Sequence, residues 1–154
     1  TQMLKDILPG ITNGAPNSFI EYNGKLYFTA NDGINGFELW VTDGSTAGTV
    51  MLKDLNTGPV HSIPFGFIKF NGKLFFSAFD NANGMELWQS DGTASGTNLV
   101  KDLNPGTTSS FDVQNLFTIF NRKCIINFAI NYKCHCVCLC CNTLDKEELF
   151  PLFS

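Results

Sequence analysis

The feature that most constrains this fold is an internal repeat. Segments 23–58 and 71–106 carry the same motifs in the same order: Asn-Gly-Lys-Leu, Glu-Leu-Trp, Asp-Gly and Lys-Asp-Leu-Asn. One constant offset, which we call the repeat offset, carries Trp40 onto Trp88 and Asp43 onto Asp91. A period of this size, built from short apolar runs and turn residues, is typical of arrays in which each unit packs on the next. The sequence therefore predicts a repeat protein rather than one closed catalytic domain.

Each copy of the repeat predicts four antiparallel strands, because runs rich in β-branched and aromatic residues alternate with Gly, Asn and Asp. The Asn-Gly pairs at 23–24 and 71–72 each separate two apolar runs, which is the signature of a type I′ hairpin turn. The predicted strands are Asn17–Tyr22, Lys25–Ala30, Glu38–Thr42 and Val50–Leu55 in the first copy, and Phe65–Phe70, Lys73–Ala78, Glu86–Ser90 and Asn98–Leu103 in the second.

The strand at 73–78 shows that both faces of a sheet need cover. Leu74, Phe76 and Ala78 alternate onto one face, while Phe75 falls on the other. Radially stacked four-stranded sheets meet this need, since each packs against the next. The predicted fold class is therefore all-β, with antiparallel four-stranded blades of a partial β-propeller.

The motif Glu-Leu-Trp-x-x-Asp-Gly-(Ser/Thr) occurs at 38–45 and 86–93, with Ser45 as the one departure from Thr. It resembles the repeat of the ELWxxDGT-repeat proteins, and the resemblance spans residues 4–121. This resemblance implies propeller blades in a secreted or cell-surface array with many more copies. It implies no reaction, so no catalytic residue is carried over.

The repeat is incomplete at both ends. Leu4–Ile7 matches the end of a copy, and Arg122 stands where the turn glycine belongs. Motifs stop abruptly there, which favours a junction with unrelated sequence over the alternative, a diverged third blade. The predicted organisation is repeats over 1–120 and a divergent Cys-rich segment at 121–154. The repeat region divides into a last strand at 3–7, blade one at 17–55, blade two at 65–103 and the start of a third at 111–120.

Charge and hydropathy exclude two classes of partner. The net charge of −4, with 16% charged residues, gives no basic footprint for nucleic acid. The apolar run 124–130 is far shorter than the roughly 20 residues of a membrane helix, so we expect no membrane insertion. The chain begins at Thr1 with no apolar leader, so we expect a processed or cut N-terminus. The expected partners are other copies of the chain or the rest of a longer repeat protein, and extracellular proteins or glycans.

All six cysteines lie between Cys124 and Cys141. In an extended strand, alternate residues are about 6.6–6.8 Å apart, near the upper limit for a disulfide, so bridges within one strand are disfavoured. Thiolates at Cys-x-Cys spacing bind soft ions such as Zn²⁺ or Cu(I), although the spacing differs from ordinary Cys-x₂-Cys zinc modules. We expect ordinary thiols or disulfides over a metal site, whose candidate ligands are Cys134, His135, Cys136, Cys138, Cys140 and Cys141.

Oxygen-bearing side chains gather in several loops of the repeat. The segments 31–36 and 80–84 suggest calcium ligands, but they lack the acidic count of a calcium loop, so we expect structural turns. Asp43 and Asp91 should accept hydrogen bonds from their own turns. The pairs at 53–54 and 101–102 predict Lys–Asp ion pairs between neighbouring strands or blades.

Two tryptophans and their neighbouring glutamates are the candidate ligand-binding residues: Trp40, Trp88, Glu38 and Glu86. A sugar ring could stack on the indoles, but we expect packing between blades because tryptophan buries a large apolar area. The sequence shows no nucleophile–base pair and no phosphate loop, so it predicts neither an enzyme nor a cofactor. The predicted function is a non-catalytic extracellular or cell-surface repeat module for protein or carbohydrate interaction or for structure. The alternative is a Cys-rich metal-binding protein that uses the repeats as a carrier.

Overall fold

The protein is all-β, as predicted. The computed structural model describes residues 2–10, 12–102 and 105–109, together with the backbone of three further strands between 117 and 138. The strands are β1 (Asn17–Tyr22), β2 (Lys25–Asn31), β3 (Phe37–Thr42), β4 (Val50–Lys53), β5 (Phe65–Phe70), β6 (Lys73–Asp80), β7 (Gly84–Ser90), β8 (Asn98–Lys101), β9 (Phe117–Phe120), β10 (Lys123–Ile130) and β11 (Lys133–Cys138).

Eight of these strands form two antiparallel sheets with the same plan. The first sheet has the order β1-β2-β3-β4, and the second has the order β5-β6-β7-β8. Tyr22 pairs with Lys25 across the first Asn-Gly turn, as Phe70 pairs with Lys73 across the second. Both turn residues have positive φ in each case, 51° and 73° in the first turn and 47° and 69° in the second. The predicted type I′ hairpins are thus confirmed.

The last strand of each sheet is shorter than the sequence predicted. Strand β4 ends at Lys53 rather than at Leu55, and β8 ends at Lys101. The reason is visible in the first sheet, where the backbone N–H of Leu55 donates to Oε2 of Glu38 at 2.7 Å. A backbone group that bonds to a side chain in this way is not available for a strand ladder.

Residues 3–7, predicted as the last strand of a preceding blade, form no strand in this structure. They lie instead against the first sheet. The carbonyl of Leu4 accepts a hydrogen bond from Thr46 Oγ1 at 2.7 Å, and Ile7 packs on a cluster of that sheet. Because a strand requires backbone pairing with a neighbouring strand, side-chain contacts of this kind leave the segment irregular.

A third sheet follows with the order β11-β10-β9. Lys123 pairs with Phe120, so antiparallel pairing continues across the point where the repeat motifs stop. The origin of the sequence after Arg122, diverged or joined, stays a prediction.

The main core lies between the first and second sheets. The first sheet contributes Tyr22, Tyr27, Leu39 and Val41, the second contributes Leu74, Phe76, Ala78 and Trp88, and Leu55 of the connecting segment lies with them. We call the side of the second sheet that carries Phe76, Ala78 and Trp88 its inter-sheet face. A separate cluster on the first sheet consists of Phe28, Ala30 and Trp40, packed with Ile7 and Met51. We call that side of the first sheet its outer face.

The alternation predicted for 73–78 is confirmed, since Leu74, Phe76 and Ala78 share the inter-sheet core. The first strands of the sheets lie beside one another, with β1 against β5 and β5 against β9. No α-helix occurs in the described parts of the chain. Accordingly, those parts contain no helix with the length and apolarity needed to cross a membrane.

Candidate functional site

The first candidate site is the contact between the first two sheets, which side-chain hydrogen bonds cross. Three side-chain hydroxyls of the first sheet donate to backbone carbonyls of the second sheet or of the segment before it. The Tyr22 hydroxyl reaches the carbonyl of Gly72 at 2.5 Å, and the Tyr27 hydroxyl reaches that of Gly92 at 3.4 Å. Thr29 Oγ1 donates to the carbonyl of Pro64. Burial of Tyr27 raises the pKa of its phenol, with the neighbouring Tyr22 adding to the effect.

Lysines at equivalent positions also connect neighbouring units of the repeat. Lys53 Nζ donates to the carbonyl of Thr97 in the second sheet, and Lys5 Nζ makes the equivalent bond to the carbonyl of Thr49 at 2.6 Å. The predicted ion pairs between neighbouring strands or blades are therefore wrong for Lys53 and Asp54. Asp54 accepts a 3.3 Å bond from the N–H of Gly58 instead, because its side chain turns into the connecting segment. The equivalent pair at 101–102 stays a prediction.

Glu38, a sequence candidate for ligand binding, is fully buried at 0% exposure. Its carboxylate accepts hydrogen bonds from three groups of the segment that joins the two sheets. These are the N–H of Leu55 at 2.7 Å, the N–H of Ser62 at 3.0 Å and the hydroxyl of Ser62 at 2.6 Å. Glu38 therefore holds both ends of this connecting segment, 55–64, against β3.

Burial raises the pKa of Glu38 from 4.5 to about 7, although the bonds from Ser62 and Leu55 oppose the rise. The geometry around Ser62 fits a protonated acid. Its Oγ lies 3.0 Å from the carbonyl of Phe37 and 2.6 Å from Glu38 Oε2, and one hydroxyl hydrogen cannot serve both. If Glu38 carries a proton, the carboxylic acid donates to Ser62, and Ser62 donates to Phe37.

Glu86 occupies the equivalent position in the second sheet and is also 0% exposed. A second equivalence concerns the start of β3 and of β7. The N–H of Phe37 donates to His61 Nδ1 at 3.0 Å, and the N–H of Met85 donates to Ser109 Oγ at 2.9 Å. The segment after each sheet thus returns to the start of its third strand in both copies.

Trp40 and Trp88, the other two ligand-binding candidates, are 6% and 7% exposed. Trp88 lies in the core between the sheets, and Trp40 lies in the cluster of the outer face. Their indole N–H groups are buried without a hydrogen-bond partner among the described residues. The expected packing role is thus seen for Trp88 directly, whereas ligand binding by the four candidate residues stays a prediction.

The Asp-Gly-(Ser/Thr) loops are structural turns. Asp43 Oδ1 accepts from the N–H and the hydroxyl of Ser45 at 2.9 and 2.7 Å, and Asp91 makes the same bonds to Thr93. Those bonds lower the pKa of both aspartates. A Cβ on Gly48 would overlap the carboxylate of Asp43, which explains the glycine that follows each loop. The prediction for these aspartates is confirmed.

The loops at 31–36 and 80–84, for which we expected structural turns rather than calcium sites, have a different hydrogen-bond pattern. Asp32 Oδ1 accepts from the N–H groups of Ile34 and Asn35 at 2.9 and 2.8 Å. Asp80 repeats this pattern with the N–H groups of Ala82 and Asn83. The aspartate oxygens are thus used by the backbone of their own turns. No cluster of metal-binding side chains occurs within the described residues.

An open groove of about 480 Å³ lies between the two Asn-Gly turns. Among the residues that line it, Lys69 Nζ and Glu21 Oε2 are 3.0 Å apart. The two residues are related by the repeat offset, so one position of the repeat carries opposite charges in the two copies. A bond from the N–H of Gly24 and the contact with Lys69 together lower the pKa of Glu21.

The proposed metal ligands lie outside the residues whose side chains the structure describes. Cys134, His135, Cys136 and Cys138 belong to β11, whose side chains are not among the described residues, and neither are Cys140 and Cys141. A metal site there stays a prediction.

The sequence did not predict the role of the connecting segment 55–64 as the partner of Glu38. Its signal was present, since Ser62 recurs as Ser110 at the repeat offset. Ser62 is separated from Glu38 by 24 residues, however, and no local pattern pairs the two.

Comparison with known proteins gives little beyond this geometry. No family model matches the chain, and no curated protein matches it. Among solved structures, it is similar to a thermostable family-43 glycoside hydrolase, with 16% identity, a TM-score of 0.44, and coverage of 80% of this chain and 46% of that chain. It is also similar to an α-L-arabinofuranosidase from Clostridium thermocellum, with 14% identity, a TM-score of 0.31, and coverage of 79% and 67%. The chain thus spans less than half the length of the first of these proteins, and neither similarity carries over an activity.

Proposed function

We propose that this chain is a non-catalytic repeat module in which the sheets act as blades of a β-propeller-type array. The array works as an extracellular or cell-surface scaffold for protein or glycan interaction. Its partners in assembly are other copies of the chain or the rest of a longer repeat protein.

One observation carries this proposal: the repeated residues stabilise turns, the connecting segment and the contact between sheets. Glu38 fixes the connecting segment, Asp43 and Asp91 fix their turns, and Lys53 reaches the next sheet. Such side chains have their polar groups bonded within loops or between sheets. This is typical of a scaffold rather than of a reaction centre.

The placement of the first strands supports the blade architecture. Strand β1 lies against β5, and β5 lies against β9. In a radial stack the first strand of each blade lies nearest to the axis, so the first strands of successive blades are neighbours. A complete ring takes about four to eight blades, which is more than this chain contains.

The molar mass in solution tests the proposal. Sedimentation equilibrium of the whole chain, with and without a reductant, should show assemblies of several chains, or a monomer that unfolds at low urea concentration. Assembly should be insensitive to reductant, because packing between sheets rather than the cysteines drives it. A compact monomer with high, cooperative stability would contradict the proposal.

A further inference from the structure

We propose that the outer face of the first sheet is a docking surface for one more four-stranded sheet of this same repeat. The inference rests on the proposed blade architecture. It adds the surface, its contacts and the charge that the docking sheet must carry.

The outer face matches the inter-sheet face of the second sheet position by position. Phe28, Ala30 and Trp40 correspond to Phe76, Ala78 and Trp88 at the repeat offset. In the second sheet this set is covered by Tyr22, Tyr27, Leu39 and Val41 of the first. The same apolar set on the outer face therefore fits a sheet that presents the same covering residues.

Segment 2–10 already occupies part of this surface in the manner of a neighbouring unit. Ile7 packs on the outer face, as its repeat equivalent Leu55 packs with the inter-sheet face. Lys5 donates to the carbonyl of Thr49, as Lys53 donates to that of Thr97. The segment thus shows where the end of a docked sheet lies.

The rest of the outer face lacks the cover that its counterpart has. Phe19 stacks on Phe28 with ring centroids 5.5 Å apart and is 56% exposed. Its counterpart Phe67, which is 5.2 Å from Phe76, is packed against the core between the sheets. Leu26 is likewise half-buried where its counterpart Leu74 is fully buried. A docked sheet would cover both side chains.

Hydrogen-bond acceptors for such a sheet are in place. On the second sheet, Tyr22 and Tyr27 donate to the carbonyls of Gly72 and Gly92. The equivalent carbonyls of the first sheet belong to two exposed residues, Gly24 and Gly44. The docking sheet therefore carries tyrosines at the positions of Tyr22 and Tyr27.

Charge further defines this partner. Glu21 pairs with Lys69, its counterpart on the second sheet. In the contact between the first and second sheets, Lys69 of the second sheet faces residue 21 of the first. If a further sheet docks on the outer face, Glu21 faces residue 21 of that sheet in the same way. That sheet must therefore carry a lysine or arginine at the position of Glu21, because two carboxylates would repel each other there.

A tandem chain tests the proposal. Residues 1–54 followed by residues 7–154 add one full period of the repeat and keep the Lys-Asp-Ile-Leu order of residues 5–8 at the join. The added sheet then precedes an inner copy of the first sheet. The added sheet carries Glu21→Lys, which supplies the required charge. Urea unfolding is measured for this chain and for the natural chain.

The expected result concerns Phe19. In the natural chain Phe19→Ala should lower the urea midpoint less than Phe67→Ala does, since Phe19 stacks on Phe28 but is 56% exposed. In the inner copy of the tandem chain the same substitution should lower the midpoint as far as Phe67→Ala lowers it in the natural chain. A tandem chain in which Phe19→Ala lowers the midpoint no more than it does in the natural chain would overturn the proposal. So would a tandem chain that unfolds without cooperativity or below the natural chain, because a docked sheet must add stability.

Two matched controls test the contacts. Three tandem chains differ only at position 21 of the added sheet. The urea midpoint should be lowest with Glu21 unchanged, higher with Glu21→Gln and highest with Glu21→Lys. These differences should shrink in about 1 M salt. The added sheet with Tyr22→Phe and Tyr27→Phe should lose part of the gain. Equal midpoints for all added sheets would overturn the assigned contacts. These results do not depend on whether the natural chain assembles, so they separate this inference from the proposed function.

Discussion

The inter-sheet face of the second sheet and the outer face of the first have the same residues and different surroundings. Phe76 is 0% exposed between two sheets, whereas Phe28 is 3% exposed and packs with Ile7, Met51 and the exposed ring of Phe19 rather than with a sheet. The comparison shows that the repeat encodes an apolar surface, which a whole sheet covers in one copy and single side chains such as Ile7 and Met51 cover in the other. The predictions that follow vary one side of this comparison while the other serves as its reference.

The largest expected difference is between two phenylalanine substitutions. Phe76→Ala should lower the free energy of unfolding by about 3–5 kcal/mol, and Phe28→Ala by less, because the single side chains that cover Phe28 can relax into the space left more easily than a sheet can. Urea unfolding of the two variants measures this. Equal losses would mean that the outer face is already as well covered as the inter-sheet face.

A pH titration tests the connecting segment between the faces. The pKa of Glu38 is about 7 in the folded chain against an ordinary 4.5. Between these pH values the folded chain holds a proton that the unfolded chain has released, so stability must fall as the pH rises. At about 1.4 kcal/mol per pKa unit, the free energy of unfolding should drop by about 3 kcal/mol over this window.

Glu38→Gln should remove this share of the pH dependence, as measured by urea unfolding at several pH values. Glu21→Gln is the matched control, because Glu21 is exposed and its pKa is lowered rather than raised. If Glu38→Gln leaves the slope between pH 4.5 and 7 unchanged, the buried acid is not the protonated group.

The Asp-Gly loops should behave alike in both copies, in contrast to the faces. Gly48→Ala and Gly96→Ala should each lower the free energy of unfolding by about 1–3 kcal/mol, since the added methyl overlaps the carboxylate of the loop aspartate. In an Asp43→Ala background, Gly48→Ala should cost much less. Clearly unequal losses in the two copies, or no relief in this background, would contradict the assigned overlap.

The smallest effect is expected for the ion pair between the sheets. Lys69→Met should lower the free energy of unfolding by at most about 1 kcal/mol, because both charges are exposed. The loss should diminish as salt is added. Lys69→Met in a Glu21→Gln background is the control, since without the partner charge the effect of Lys69→Met should depend much less on salt. A salt-independent loss for Lys69→Met would show that the charge is not what matters there.

How far the sequence predicted the fold depends on the range of the interaction involved. The Asn23-Gly24 and Asn71-Gly72 turns, the strands that flank them and the bonds of Asp43 all involve residues close together in the chain, and each was predicted correctly. The ion pair predicted for Lys53 between strands or blades was wrong, because Lys53 reaches the neighbouring sheet but contacts a backbone carbonyl there. The carbonyl that it contacts lies 44 residues away.

The candidate site shows the same difference between short-range and long-range interactions. Glu38 was recognised in the sequence because it recurs in the repeat, but it was predicted as a candidate for ligand binding. Burial and the bonds to Leu55 and Ser62 are visible only after the connecting segment has folded back over β3. Repetition in a sequence marks a residue that is used in each unit, and it does not say for what.

The sequence by itself determined the repeat, the four-strand plan of each sheet and the turns, because φ preferences and short-range hydrogen bonds act within a few residues. The tertiary structure alone decided what covers each of two equivalent faces, where Lys53 donates and why Glu38 is buried. Those outcomes depend on packing between segments that lie far apart in the chain. Two copies with nearly the same residues therefore differ wherever only one of them has a neighbour.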